Sequence, residues 1–573
     1  MFRRTTPIDG LPAELLSYIF LLGAYRPPDE DPLAENPGGE VNYLSPCMTY
    51  SYAFPCLVAA VSRHWRGVAL STGQLWNKIP VTDEDTDDLN DLEGTSFKLA
   101  RLFLSRSGTA PLDIMVDARD PEWDFSEFDT STAGSTPGAD DEDEKEYRHP
   151  FTEGHMHAAM QMLLPHLHRT RSLAIFTDRW VPMHIVLESL SNDAPLAPML
   201  ESLILMRCNE FAAYAPDFTP EEYAGHWLLP FSNHAGGLAL LRLQRLILSG
   251  VHFKWKSFPA LLSQPASLRH LELGYHCSDV RPNKVELYKM LSVCSKLEEL
   301  NIRVSLPEDE AEFGQEATMH GVEPVVLSRL KTLKLGYDDC ILAEEFLELF
   351  RAPNLQTFVL DDASYAAAEV EQEASKLLVH VAHPGGRRSR AKPLFPLLET
   401  LELGGTRATQ EAFQILYYAL TRLRTLTLRE TPVASTRALR PSSPFAPQQT
   451  CPCPLLDTLI VRGFEPCEDP LLSEILVERT NYGAVFRDIR LEPWFGTPED
   501  DDDVEDRPVD NEPVGEWLMP NGQPVPPVSP VTAMQPVPRA ADGRVLVGRA
   551  GLPPPTPFEF VIGRMSAGPA GYR

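Results

Sequence analysis

Nine times between Leu200 and Val461 the chain returns to one short pattern, apolar-x-x-apolar-x-apolar. The copies are LESLIL from Leu200, LQRLIL from Leu243, LRHLEL from Leu268, LEELNI from Leu297, LKTLKL from Leu330, LQTFVL from Leu355, LETLEL from Leu398, LRTLTL from Leu423 and LDTLIV from Leu456. TRSLAI from Thr170 and FRDIRL from Phe486 are weaker copies. The last two apolar residues of each copy are two apart, so both face the same side of a short strand. Between copies lie segments with apolar residues at helical spacing: VELYKMLSVC (Val285–Cys294), AEEFLELF (Ala343–Phe350), QEAFQILYYAL (Gln410–Leu420) and PLLSEILVER (Pro470–Arg479). One strand with its crossover cannot bury its own apolar face, whereas stacked units share a continuous core. The pattern therefore predicts an α/β solenoid over residues 165–492, a parallel sheet with helical crossovers.

The array resembles the leucine-rich repeat family in an irregular form. That family places Asn or Cys three residues beyond the last apolar strand position, after two intervening residues. Here the slot holds Cys208, Val251, His276, Ser305, Asp338, Ala363, Thr406, Thr431 and Phe464, and only Cys208 fits. The residues between the apolar strand positions should point away from the helices. Five of them are Thr332, Thr357, Thr400, Thr425 and Thr458, which suit a sheet surface for β-propensity alone. Arg245, His270, Glu272, Glu299, Asn301, Lys334 and Glu402 are varied and polar, and are the candidates for binding a target on this face.

Charge is unevenly spread. Of the formal net charge of −30, residues 83–93 carry −7, 120–146 carry −10 and 496–573 carry −6, leaving a nearly neutral body. Such runs are ordinarily solvated loops and tails. The near absence of clustered Lys and Arg disfavours nucleic-acid binding. Residues 79–164 read as a linker region with acidic loops, and 493–573 as a disordered acidic, Pro-rich tail. PGGRRSRAKP (residues 384–393) reads as a basic surface loop. The start MFRRTTPIDGLP has no apolar core of a signal peptide, and no apolar run approaches the roughly 18 residues of a membrane span. Nine scattered cysteines suit reduced thiols in the cytoplasm or nucleus.

At the front stands LPAELLSYIFLLG, where Pro12 suits a first helical turn. Leu11, Leu15, Leu16, Ile19 and Phe20 form an apolar stripe. FPCLVAAVSRHWRGVALSTGQLW (Phe54–Trp76) follows, with Val58, Val61, Trp65 and Val68 at helical spacing. LPAELLSYIF, then LVAAVSRHWRGVA, then LW resembles the F-box, a small all-α module, here over residues 1–78 with a loop insertion at about 24–53. The resemblance implies docking on the Skp-type adaptor, and through it the cullin scaffold, of an SCF ubiquitin ligase. It also implies that Leu11, Pro12, Leu15, Leu16, Ile19 and Phe20 make the contact, with Val58, Val61 and Trp65 helping or packing beneath. The bland alternative is that these residues only form a local core joined to the repeats.

Motifs for chemistry are absent. HMHAAMQMLLPHLH (His155–His168) has two His-x-His pairs, but its Met and Leu spacing describes an ordinary amphipathic helix. CPC (Cys451–Cys453) lacks the two-residue spacing of zinc knuckles. No phosphate loop, nucleophile elbow or zinc-protease motif occurs. The expectation is a non-catalytic subunit with no metal and no cofactor, whose repeat face holds a target protein for ubiquitination. The alternative is a repeat scaffold that joins no ligase.

Overall fold

The computed structural model describes residues 7–24, 48–85, 97–120, 149–192, 196–208, 214–215, 217–231, 240–262, 267–307, 322–364, 373–384, 392–441, 451–464 and 469–493. Residues 494–573 of the expected tail, most of the front-module insertion and most of the acidic and basic loops lie outside these residues; the insertion's last residues, 48–53, already belong to a helix.

Fifteen strands occur among the described residues: β1 (Lys78–Thr82), β2 (Leu112–Ala118), β3 (Thr170–Thr177), β4 (Ser202–Arg207), β5 (Arg245–Ser249), β6 (His270–Gly274), β7 (Glu299–Arg303), β8 (Val325–Val326), β9 (Thr332–Tyr337), β10 (Phe350–Arg351), β11 (Thr357–Asp362), β12 (Thr400–Gly404), β13 (Thr425–Arg429), β14 (Thr458–Phe464) and β15 (Asp488–Pro493). All but β8 and β10 form one parallel sheet whose spatial order is the chain order; β8 and β10 pair separately. The architecture is α/β and solenoid-like, as the repeat spacing predicts.

The register is uninterrupted where the pattern needs it to be. One apolar row runs from Ile79 through Leu203, Leu300 and Leu401 to Ile489. A second, two residues on, runs from Val81 through Leu205, Ile302 and Leu403 to Leu491. Both rows face the helices and are buried until the last strand, where Ile489 and Leu491 are half-buried. A one-residue slip would turn either row outward, which is why strands with such varied crossovers keep one register.

The crossover helices begin where a side chain can take the orphan amides. Asn283 caps Lys284–Val293, accepting from Glu286 N–H at 2.9 Å, while Glu286 accepts from Asn283 N–H at 3.1 Å. Asp339 accepts from Leu342 N–H at 3.1 Å and Thr409 from Ala412 N–H at 3.2 Å, capping Cys340–Glu348 and Gln410–Ala419 without the return bond. Each cap stabilises its helix by about 1 kcal/mol.

One expectation needs correcting. The region 79–164 is no linker, because its described parts extend the same solenoid. β1 and β2 carry the two apolar rows, and helices Lys98–Arg106 and Glu153–Leu163 pack behind the sheet. WNKIPV (Trp76–Val81) and PLDIMV (Pro111–Val116) put Trp and Pro where the nine copies have Leu, so a reading anchored on Leu passes over them. The His-rich stretch is helix Glu153–Leu163 followed by a 3-10 turn to Arg169 and then β3. His155 serves as the partner in a capping box with Thr152.

The irregular slot beyond each strand forms a substitute ladder. Cys208, Val251, His276, Ser305, Ala363 and Thr406 are all buried there. The His276 ring spans three repeats, with Nε2 2.9 Å from the Val251 carbonyl oxygen and Nδ1 2.8 Å from Ser305 Oγ. Thr406 Oγ1 donates to the Gly404 carbonyl at 3.1 Å.

Candidate functional site

Among the described residues three α-helices precede the sheet: Ala13–Gly23, Met48–Val61 and Arg63–Ser71. Ser62 starts the third, its side chain accepting from Trp65 N–H at 3.1 Å. The first helix has two apolar stripes. Leu16 and Phe20 are fully buried, and the Phe20 ring lies 5.0 Å from that of Trp65. Beneath them are Val58, Val68 and Trp76, whose indole N–H donates to the Ala69 carbonyl at 2.8 Å. Arg106 lies over the Trp76 ring at 4.3 Å. This core runs without a break into the sheet, so the helices seal its first edge and leave Ile79 and Val81 wholly buried.

The other stripe is open. Leu15 is 52% exposed and Ile19 43%, and Tyr18 and Leu22 are exposed with them. These four stand at i, i+3, i+4 and i+7, on one side of the helix. On the second helix, Leu57 (63%) and Val61 (61%) make a similar pair at i, i+4. Single exposed Leu residues are ordinary, but six exposed large apolar side chains on two neighbouring helices are more than scattered singles.

The nine residues expected at an adaptor contact therefore divide. Leu15, Ile19, Val61 and Pro12 are exposed; Leu11 and Trp65 are half-buried; Leu16, Phe20 and Val58 are sealed in the module's own core. Leu16 and Phe20 cannot be contact residues in this structure, because the second and third helices occupy the space they would offer a partner. Tyr18, Leu22 and Leu57, exposed on the same helices, are not among the nine; Leu22 lies seven residues past Leu15, at helical spacing.

The seven residues expected on the repeat face come together. Arg245, His270 and Glu299 occupy one cross-strand row, and Glu272, Asn301 and Lys334 the next. Glu402 stands two strands beyond Lys334, past Val359. His270 Nδ1 lies 3.0 Å from Glu299 and Nε2 3.5 Å from Glu272, with Lys334 Nζ 3.8 Å from Glu299. Burial opposes the imidazolium, but bonds to Glu272 and Glu299 outweigh it and raise the His270 pKa. The bond to His270 lowers that of Glu299. The five threonines continue the first row across β9, β11, β12, β13 and β14. Toward β2–β5 the same face turns apolar and buried, with Met115, Phe176, Ile204, Met206 and Ile247 in one cluster.

A third row was not anticipated. One residue past the last apolar position it reads Arg303, Gly336, Asp361, Gly404, Arg429 across five neighbouring strands. Arg303 Nη1 lies 3.1 Å from Asp361, and Arg429 Nη2 donates to Asp361 at 2.7 Å from the other side. The glycines make room for both arms. A Cβ at Gly336 would stand 2.7 Å from Arg303 Cγ, and one at Gly404 would collide with Asp361 and Arg429. Gly404→Ala is expected to lower stability by about 1–3 kcal/mol by overpacking and breaking this bridge. Gly67→Ala, in a helix with nothing within 4 Å, should leave thermal melting unchanged or raise it.

No group of three or more His, Cys, Asp or Glu residues among those described could hold a metal ion, and no described helix is long and apolar enough to cross a membrane. Cys451 and Cys453 are buried, and burial raises both thiol pKa values.

Fold and register together define a repeat protein of the solenoid-like α/β class. No family model and no curated protein matches the chain. Among solved structures, one described as the Rad7 and Elc1 complex in yeast is similar over 53% of this chain and 72% of that chain, at 16% identity and a TM-score of 0.25. At that score the two shapes coincide too little for one to inform the other.

Proposed function

We propose that this chain is the target-binding subunit of an SCF-type ubiquitin ligase. Its front helices dock on a Skp-type adaptor, and its repeat face, including Arg245, His270, Glu272, Glu299, Asn301, Lys334 and Glu402, holds a target protein. The observation that carries the reading is the divided first helix. Leu15 and Ile19, with Val61 of the second helix, are exposed on segments whose sequence resembles the F-box. A buried large apolar side chain contributes roughly 1.5–3 kcal/mol, so several suffice for a stable contact after association costs. The work is done by proximity: other subunits transfer ubiquitin, and this chain, in the cytoplasm or nucleus, holds the target within reach.

The second reading, a scaffold whose front helices only cap the array, is supported by the continuous core between those helices and β1. Pull-down with a Skp-type adaptor separates the two. Leu15→Asp/Val61→Asp should lose adaptor binding while its melting temperature stays at the wild-type value, since both side chains are already in water. Equal recovery of wild type and variant would leave the scaffold reading.

A further inference from the structure

The two ends of the sheet are finished differently. At the first edge, Ile79 and Val81 are buried under the front helices. At the last, β15 has a neighbour on one side only among the described residues, β14. Its Ile489 and Leu491, the final rungs of the apolar rows, are half-buried where inner rungs are sealed. In the same last unit Val477 (64%), Tyr482 and Val485 are exposed.

The backbone of this edge is set out for one more strand. The residue just before each inner strand gives its carbonyl to the strand that follows. Gln356 accepts from the N–H groups of Glu399 and Thr400, Glu399 from Arg424 and Thr425, Arg424 from Asp457 and Thr458, and Asp457 from Arg487 and Asp488. Arg487 is next in that series, so its carbonyl faces out from β15. By the alternation of the ladder, the N–H and C=O groups of Ile489 and Leu491 face outward too, and those of Asp488 and Arg490 face β14. On the side of the sheet away from the helices, Arg490 Nη2 lies 3.0 Å from Asp488.

An open strand edge takes another strand readily, and the charges of this one select its partner. Two copies of β15 can meet antiparallel about a two-fold axis, each surface facing its own duplicate. Centred on Arg487, Asp488 or Arg490, such a pairing faces like charges across the axis. Centred on Leu491, it sets Ile489 opposite Pro493, which has no N–H to give. Centred on Ile489, it sets each Asp488 against Arg490 of the second copy, and the four charges form a ring of alternating sign. The outward backbone groups also match. The two Ile489 residues exchange N–H and C=O, and each Leu491 N–H meets the Arg487 carbonyl of the second copy. The edge is complementary to itself in hydrogen bonds and in charge, with Ile489 against Ile489 on the apolar side.

We infer that β15 is the contact of a symmetric dimer, in which two copies of this chain pair their last strands antiparallel, Ile489 against Ile489 and Asp488 against Arg490. The inference does not rest on adaptor docking, because the front helices sit at the opposite end of the sheet. A contact built on one pair of strands is small, so the dissociation constant is expected to be roughly micromolar. Sedimentation of the full-length protein tests it. The wild type should pass from monomer to dimer below about 100 µM. Asp488→Arg and Arg490→Asp each turn the ring into four like charges, and each should raise the dissociation constant at least about tenfold. An equimolar mixture of these two variants restores every opposite pair and should dimerise as the wild type does. Asp488→Arg/Arg490→Asp in a single chain should recover as well. Misfolding cannot imitate either recovery. Three results overturn the proposal: a wild type that stays monomeric at about 100 µM, single variants that dimerise like the wild type, or a mixture that does not recover. In the first case, slow exchange at the Ile489 and Leu491 amides would give the edge to another segment of the same chain.

Discussion

Phe20→Ala should lower the stability of the protein by about 3–5 kcal/mol, read as a fall in denaturation midpoint at unchanged slope. The ring is fully buried, stacks at a tilt 5.0 Å from Trp65, and belongs to the core that continues through Trp76 into β1. Removing it leaves a cavity that rigid neighbours on three helices can fill only in part. Leu16→Ala should cost about 2–5 kcal/mol for the same reason. Leu15→Asp, one residue away, should cost almost nothing, because its side chain is already half in water. The contrast within one helix distinguishes packing from docking. If Leu15→Asp destabilised as strongly as Leu16→Ala, the outer stripe would be covered by the chain itself, and the ligase reading would lose its surface.

Acid should weaken the fold before the carboxylates protonate. His252 is wholly buried, stacked on Trp180 at 4.6 Å and edged by Phe218 and Trp227. Burial, with the nearby positive charge of His276, brings its pKa down to about 3. Burial lowers that of His276 to about 4. Both groups take protons near pH 6.5 once unfolded. The unfolded chain therefore binds more protons between pH 6.5 and the folded values, so stability is complete above pH 6.5 and falls as pH falls. At pH 5 each imidazole removes about 2 kcal/mol relative to pH 8. His270, whose pKa is raised, acts in the opposite sense, so the sharp test is a difference. In His252→Phe, the loss of stability between pH 8 and pH 5 should shrink by about 2 kcal/mol. An unchanged pH profile would show that His252 is solvated when folded.

Much of the architecture is legible because it rests on a pattern of period two, repeated. Leu203 and Leu205, Leu300 and Ile302, Leu426 and Leu428 each declare a strand, and their repetition declares a parallel sheet. The crossover helices at 284–293 and 410–419 follow from apolar spacing to within a residue or two. β1 and β2 escape because Trp76 and Pro111 stand where the nine copies have Leu, although both apolar rows are already present in Ile79 and Val81 and in Ile114 and Val116. The front helix was legible as apolar but not as two-sided. Leu15 and Leu16 look alike in sequence, and only the placement of the other two helices decides which is core. The Arg303–Asp361–Arg429 bridge was open to view, since all three share one template position with Gly336 and Gly404 between them. Its meaning appears only when those strands lie side by side and the absent side chains become the space the arginines cross.

The closed first edge gives the array a direction of assembly. A ribosome delivers β1 and its covering helices before any later strand exists, so the first surface to form is already shielded on its outer side. Each new unit then emerges opposite one vacant strand, and the nearest sequence is also the right neighbour in space. Mispairing would require a strand to pass over a completed one. An array built this way grows like masonry from a fixed wall, and its long, uneven crossovers cost it little in order.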